Sequence, residues 1–251
     1  MKIGLLSTDA NEAMSEIDGC VQLQKDVGWS NETVASHVFR ADAINMIDPS
    51  IDLGYVVIAK RSEVHGFARV TTSGNQKVHW LHEIVVGIKS QAKNLGFEIM
   101  LEAKKVSLAK GAEAIFFTYD PMEAQNGNLY LGKCRAEATK VYENFYGVLS
   151  SSAHANRLTH RFLVEWWFKR PPLDLPDLVS IPVATENLPS KEKIFKIEIP
   201  YKVQSLTPIE AQNWQVHVYG LLVEAINRMG YRAVFLEVDK TDSRCFLLLA
   251  R

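Results

Sequence analysis

The sequence predicts an α/β fold of the α+β kind: a mixed, twisted sheet flanked by helices, with a C-terminal β-α-β-β extension. Three observations lead there. Two runs rich in Val, Ile, Phe and Thr, Gly54 to Lys60 and Val64 to Thr72, lie either side of a short turn and read as a hairpin. Ala114 to Tyr119 is a continuous apolar run of the kind found in buried parallel strands, and it follows a helix with a wide apolar arc. Beyond a proline-rich stretch, one strand, one helix and two more strands close the chain.

Taken in order, Met1 to Ser7 reads as a short strand, and Ala13 to Val27 and Glu32 to Ile47 as helices. Asn31 is placed to cap the second helix and Pro49 to end it. Lys60 to Glu63 supplies the hairpin turn. Gly74-Asn75 breaks the chain before a strand from His79 to Ile88. The helix Phe97 to Lys110 carries Phe97, Ile99, Met100, Leu101, Ala103, Val106 and Leu108 against a narrow charged strip of Glu98, Glu102 and Lys105. Gly111 stops it. Asp120-Pro121 ends the strand Ala114 to Tyr119, and a short helix is expected from Asn126 to Lys133. Ala136 to Tyr142 and Arg161 to Phe168 read as strands around a polar loop containing Ser150-Ser151-Ser152.

Pro171, Pro172, Pro176, Pro182 and Pro189 mark a stiff connector without regular structure. After it come a strand, Ile194 to Ile199, and a helix opened by Thr207-Pro208-Ile209-Glu210. That opening combines a capping box with proline at the first helical position. Gly230 closes the helix. Ala233 to Val238 and Cys245 to Ala250 flank a polar turn. The expected division is a main domain over 1–170, a connector over 171–192 and a C-terminal subdomain over 193–251. No short-period repeat is visible.

The 251 residues suffice for one large domain or two small ones. Basic and acidic residues number 28 and 29, for a net charge of −1, which makes nucleic acid a poor partner. Cys20, Cys134 and Cys245 are widely spaced and odd in number, which points to a reducing, cytoplasmic compartment. No Cys/His cluster has zinc spacing, so no metal is expected. The apolar run Ile3 to Leu6 is too short for a signal peptide, and no stretch has the length of a membrane span.

The chemistry centres on Val86 to Gly96, where a strand meets a polar turn, Gln91-Ala92-Lys93-Asn94-Leu95-Gly96, and a helix follows at once. The first helical amides lack intrahelical partners and the helix dipole favours an anion there. The turn is either a pyrophosphate cradle, with Phe97 amides behind it, or a ligand-free turn. Asn94 tolerates the left-handed region better than other non-glycine residues.

The order of elements resembles that of the GNAT superfamily of N-acetyltransferases, which bind acetyl-CoA at an Arg/Gln-x-x-Gly-x-Gly/Ala turn after the fourth strand. Gln91, Asn94 and Gly96 fall at those places, with Asn94 replacing a glycine. Phe117-Thr118-Tyr119-Asp120-Pro121-Met122, Asn126, Asn144-Phe145-Tyr146-Gly147 and Arg161-Phe162-Leu163-Val164-Glu165-Trp166-Trp167 resemble a little-characterised bacterial subfamily of predicted acetyltransferases. The resemblance covers Val21 to Phe168 well and the C-terminal unit more loosely.

That resemblance implies acetyl-CoA as co-substrate, held by Ile84, Val85 and Val86 along the fourth strand and by Gln91 to Phe97 at the turn. Alternation puts His82 and Glu83 on opposite faces, so one of them faces the cleft. His82 has the ordinary pKa of a base at neutral pH, whereas Glu83 needs burial to reach it. The same resemblance implies a tyrosine acid for the CoA sulfur, with Tyr130 and Tyr142 as candidates. Either is otherwise a core or rim tyrosine. Asn126 caps its helix or contacts the cofactor. Asp120 holds a substrate amine or starts a turn. Of Trp166 and Trp167, one indole packs in the core and the other lines a pocket or interface, with Trp166 taken as the substrate candidate. Cys134 lacks the partners of a nucleophile.

The expected function is acyl transfer from acetyl-CoA to a small-molecule amine in a ternary complex. The alternative is a non-catalytic relative that binds a CoA-like ligand or a protein partner. An edge strand in the C-terminal unit is open to pairing two chains as a homodimer.

Overall fold

The computed structural model describes residues 1–29, 33–44, 48, 50–72, 77–91, 93–147, 158–189 and 191–251. The cap at Asn31, the stop at Pro49, the break at Gly74-Asn75, Ala92 and the serines Ser150 to Ser152 lie outside the described residues. The chain folds as two compact units, one built on Met1–Phe117 and one on the described residues from Thr118 onwards.

In the first unit β1 (Lys2–Leu5), β2 (Gly54–Lys60), β3 (Val64–Thr72) and β4 (Val78–Val86) run antiparallel in that order. The first residues of β5 (Ala114–Tyr119) lie parallel to β4. Helices α1 (Ala10–Asp26), α2 (Ser36–Asp42) and α3 (Leu95–Ala109) cover the two faces. Val56, Ile58, Phe67 and Val85 pack with Ile17, Cys20, Leu23 and Phe39 on the α1/α2 face. The opposite face belongs to α3: the Tyr55 hydroxyl donates to Ala103 O at 2.9 Å and meets Ser107 Oγ at 2.6 Å. Gly66 permits that approach, because a Cβ there would lie 2.8 Å from Ile99 Cδ1 and 3.0 Å from Val85 O. The second helix is shorter than expected, ending at Asp42, which Arg69 holds by an ion pair.

The second unit contains α4 (Ala124–Gly127), continued by a π-helical stretch (Asn128–Lys133), then β6 (Glu137–Tyr142) and β7 (Arg161–Trp167). Farther on come β8 (Val183–Ala184), β9 (Ile194–Ile199), α5 (Pro208–Leu222) with its own π-helical stretch (Val223–Arg228), β10 (Arg232–Asp239) and β11 (Arg244–Ala250). The strand order is β7-β6-β10-β11-β9-β8. The expected capping box at Thr207 and Glu210 is formed.

The proline-rich segment corrects an expectation, since it carries regular structure. Leu178–Ser180 forms a 3₁₀ turn and β8 pairs in parallel with β9. Prolines are compatible with an edge strand, whose outer N–H groups need no partner. Pro182 O accepts from Lys196 N at 2.8 Å, and the buried Lys196 ammonium donates to Leu178 O and Glu237, each at 2.9 Å. Among the described residues no helix is long and apolar enough to cross a membrane, and no three His, Cys, Asp or Glu side chains group as metal ligands. The three cysteines are buried, and none is in a disulfide.

Candidate functional site

β4 is out of step with β3 by one residue. Glu83 pairs with Arg69, yet Leu81 pairs with Val70, so His82 is an extra residue without a rung. Such a bulge re-aims side chains. Arg69 and Val70 are consecutive and point to opposite faces, so their partners Glu83 and Leu81 do too. Simple alternation, which put Leu81 and Glu83 on one face, therefore fails here. Leu81 turns toward α3, and Glu83 and Val85 turn toward α1 and α2. His82 meets the Trp80 ring edge-on at 6.5 Å and feels the charges of Arg69 and Asp42. It thus shares the side of Glu83 instead of opposing it.

Arg69 is clamped between two carboxylates. Its Nε donates to Glu83 at 2.8 Å and its Nη1 to Asp42 at 2.6 Å, with all three side chains largely buried. Burial raises the Glu83 pKa, and Arg69 opposes that rise without cancelling it. The His82 pKa is lowered, first because the surrounding protein withdraws water from the ring and then because Arg69 is positive. His82 keeps an exposed edge while Glu83 is buried. A neutral, accessible imidazole and an engaged carboxylate result. Neither Arg69 nor Asp42 was picked out from sequence. The available signal was an arginine inside the otherwise apolar run Gly66 to Val70.

The other edge of β4 opens toward the same end. Rungs to β5 are formed at Val78, His79 and Trp80 and stop there, so among the described residues Leu81 to Val86 carry no ladder on that side. Ile84 and Val86 stay partly exposed, whereas the Val85 side chain enters the α1/α2 core.

The strand ends at Val86, two residues earlier than expected, and Ile88–Ser90 makes a 3₁₀ turn. Asn94 adopts φ 65°, a left-handed conformation that glycine takes without strain, and α3 begins at Leu95, two residues before Phe97. This corrects the cradle. The Phe97 amide bonds Asn94 O at 3.0 Å and the Gln91 amide bonds Ile88 O at 3.3 Å, so neither is free for an anion. The amides of Leu95 and Gly96 have no acceptor among the described residues. The Gln91 side chain donates to Val86 O at 3.2 Å, and Lys93 Nζ to Lys89 O at 2.9 Å, which sets two lysines on the turn. The Leu95 side chain is buried.

The remaining sequence candidates lie in the second unit. Tyr130 is buried against Tyr119, ring centroids 5.3 Å apart, and burial pushes both phenols up. Tyr119 Oη is the buried side-chain polar atom without a partner among the described residues. Tyr142 is half-buried beside Phe145. Asp120 starts a turn: its Oδ1 accepts from Met122 N at 3.0 Å, with Arg161 at 3.9 Å. That turn leads into α4 at Ala124, so Asn126 sits inside the helix and does not cap it. Trp166 is the buried indole, packed on Phe168, while Trp167 is partly exposed and donates to Glu165 at 2.7 Å. A cavity of about 440 Å³ at the end of β9 is lined by Tyr201, Lys202, Leu206 and Trp214, and by none of the sequence candidates.

The sequence matches no family model and no curated protein. Solved structures do match. The ribosomal-protein-S18-alanine N-acetyltransferase from Escherichia coli superposes with TM-score 0.51 at 10% identity, over 70% of this chain and 98% of that one. A Salmonella typhimurium protein described as an acetyltransferase, solved with its cofactor acetyl-CoA, gives 0.50 at 16%, over 71% and 98%. An acetyltransferase of the GNAT family from Streptococcus pneumoniae gives 0.50 at 16%, over 65% and 96%. The chain therefore has the GNAT fold, a mixed α/β sheet with flanking helices.

Proposed function

We propose that this protein is an acyl-CoA-dependent N-acyltransferase that takes acetyl-CoA as donor and a small-molecule amine as acceptor. The observation that carries this reading is the course of β4: bulged at His82, paired with β3 but parted from β5 over Leu81 to Val86, and running into a left-handed Asn94 at the head of α3. The edge of β4 that parts from β5 offers N–H and C=O groups to an extended amide chain such as pantetheine. The Leu95 and Gly96 amides, the positive end of α3 and the lysines Lys89 and Lys93 suit a pyrophosphate. The structural neighbour solved with acetyl-CoA supports the choice of donor. The motifs at Phe117 to Met122, Asn144 to Gly147 and Arg161 to Trp167 support membership of the bacterial acetyltransferase subfamily they resemble.

In this reading the acceptor ammonium loses one proton to His82, directly or through water. The free amine attacks the thioester carbonyl, and the C–S bond breaks to release CoA, whose sulfur takes up the second nitrogen proton. Holding both reactants together supplies much of the rate. The free amides of β4 polarise the thioester carbonyl. Asn94 in the left-handed conformation favours a working turn over a retired one. Isothermal titration with acetyl-CoA, followed by thiol-release assays across an amine panel, tests the reading. Heat and thiol release are expected. Absence of both binding heat and thermal shift at millimolar acetyl-CoA would sink it.

A further inference from the structure

Within the second unit, residues 128 to 142 and residues 223 to 237 follow the same path, at the spacing of 95 positions that separates Glu137 from Arg232. Each begins as a π-helical stretch, Asn128–Lys133 and Val223–Arg228. The amide just past each stretch returns to its first turn, Cys134 to Leu129 and Met229 to Glu224, both at 3.0 Å. The next residue is left-handed in both, Arg135 at φ 57° and Gly230 at φ 76°. Then Ala136 bonds Tyr130 and Tyr231 bonds Ala225, again both at 3.0 Å. β6 starts at Glu137 and β10 at Arg232. Each slips register against its hairpin partner at the same place, between Ala138 and Lys140 and between Ala233 and Phe235.

None of these features is demanded by a helix leading into a hairpin. π-Helical turns are rare. A left-handed arginine costs about 1 kcal/mol that glycine does not. Their recurrence at one spacing marks the same backbone built twice, although almost no side chain repeats.

The two copies meet symmetrically. β6 and β10 run antiparallel, and the rung between them joins Ala138 to its own equivalent, Ala233. Glu137 Oε2 accepts from its equivalent, Arg232, at 2.8 Å. Each π-helical stretch packs on the strand of the other copy, Asn128–Lys133 on β10 and Val223–Arg228 on β6. A residue paired with its own counterpart is what a two-fold axis imposes on an interface between identical surfaces. Beyond the rung, Asn227 takes over from β10. Its Nδ2 donates to Val141 O at 2.9 Å and its Oδ1 accepts from Val141 N at 3.0 Å.

We propose that the C-terminal β-α-β-β is a structural second copy of the module before it, and that it supplies within one chain the partner β6 would otherwise take from a second subunit. A bare strand edge invites pairing with another chain. Here the β6 edge is filled by β10 and Asn227, and the protein works as a single subunit. This holds whether or not the acyltransferase reading does.

Cysteines at the axis test the proposal. Mild diamide oxidation of the double variant Ala138→Cys/Ala233→Cys should give an intramolecular disulfide at the mass of one chain, 28.3 kDa. Ala138→Cys alone should stay monomeric, whereas a two-fold between chains would bring the new thiol beside its copy. A covalent dimer from the single variant, or an intermolecular link in the double, would overturn the proposal. Both alanines are fully buried, so the unmodified chain provides a second readout. Light scattering should return one chain mass over a wide concentration range. The Val141 amide should exchange slowly with solvent and lose that protection in Asn227→Ala. A wild-type dimer, or a Val141 amide that exchanges like a loop's, counts against it.

Discussion

Arg69 Nε donates to Glu83 Oε1 at 2.8 Å directly across the β3–β4 ladder, one residue from the bulge at His82. The same guanidinium holds Asp42, so one cation serves two buried carboxylates. Removing it strands both. Arg69→Met should destabilise the fold by about 3–5 kcal/mol in urea unfolding. Adding Glu83→Gln should recover part of that loss, since one stranded charge is then gone.

His82 carries the opposite expectation. Its ring keeps an exposed edge and makes no ion pair among the described residues, so His82→Ala should leave the melting temperature nearly unchanged. Turnover should fall by about two orders of magnitude. In the wild type the rate should drop as pH falls through a pKa below the ordinary histidine value near 6.5, because the protonated ring cannot accept a proton. That acid limb should persist in Glu83→Gln. Its disappearance there would move the base role to Glu83.

Asn94 separates conformation from contact. Asn94→Gly keeps the left-handed turn and should keep acetyl-CoA affinity. Asn94→Val pays a steric cost there and should weaken binding by about tenfold or more in calorimetry.

Much of this architecture was legible in the sequence. The bounds of β2, β3 and β5 follow from continuous Val, Ile and Phe runs between turn residues, and the Thr207 capping box and Gly111 stop mark their helix ends. The bulge at His82 was not legible, because periodicity assumes an unbroken ladder and only the partner strand reveals a skipped rung. The same blindness hid the Asp42–Arg69–Glu83 clamp, whose members are distant in sequence. The proline run misled, since an edge strand tolerates prolines that an interior strand would not. The duplicated module escaped notice because Arg135 and Gly230 reach the same backbone with different side chains.

Stability should weaken as the solution is acidified. His79, His82 and His160 all have pKa values lowered chiefly by burial. The unfolded chain therefore binds protons more readily at these positions. Their contribution is present above about pH 6.5 and is lost as pH falls through the depressed values. Glu83, with its raised pKa, acts in the other direction, starting from an ordinary value of 4.5 that lies below the histidines' 6.5. Melting curves between about pH 7.5 and 5.5 should show a falling midpoint.

Lys196 pins the proline-rich segment to the sheet. Lys196→Met should cost about 1–3 kcal/mol by leaving Leu178 O and Glu237 without their donor. Limited proteolysis should then cut earlier within residues 171–192.

The exchange of π-helical cover between the two modules has a consequence for engineering. Each hairpin is roofed by the other module's helix, so neither half can be excised intact. A chain stopped at Arg170 would keep β6 but lose its roof and its neighbouring strand together. The prolines advertise a cut site that the packing denies. Fusions, tags and permuted termini are better placed at the Asp239 to Arg244 turn, which crosses no shared seam.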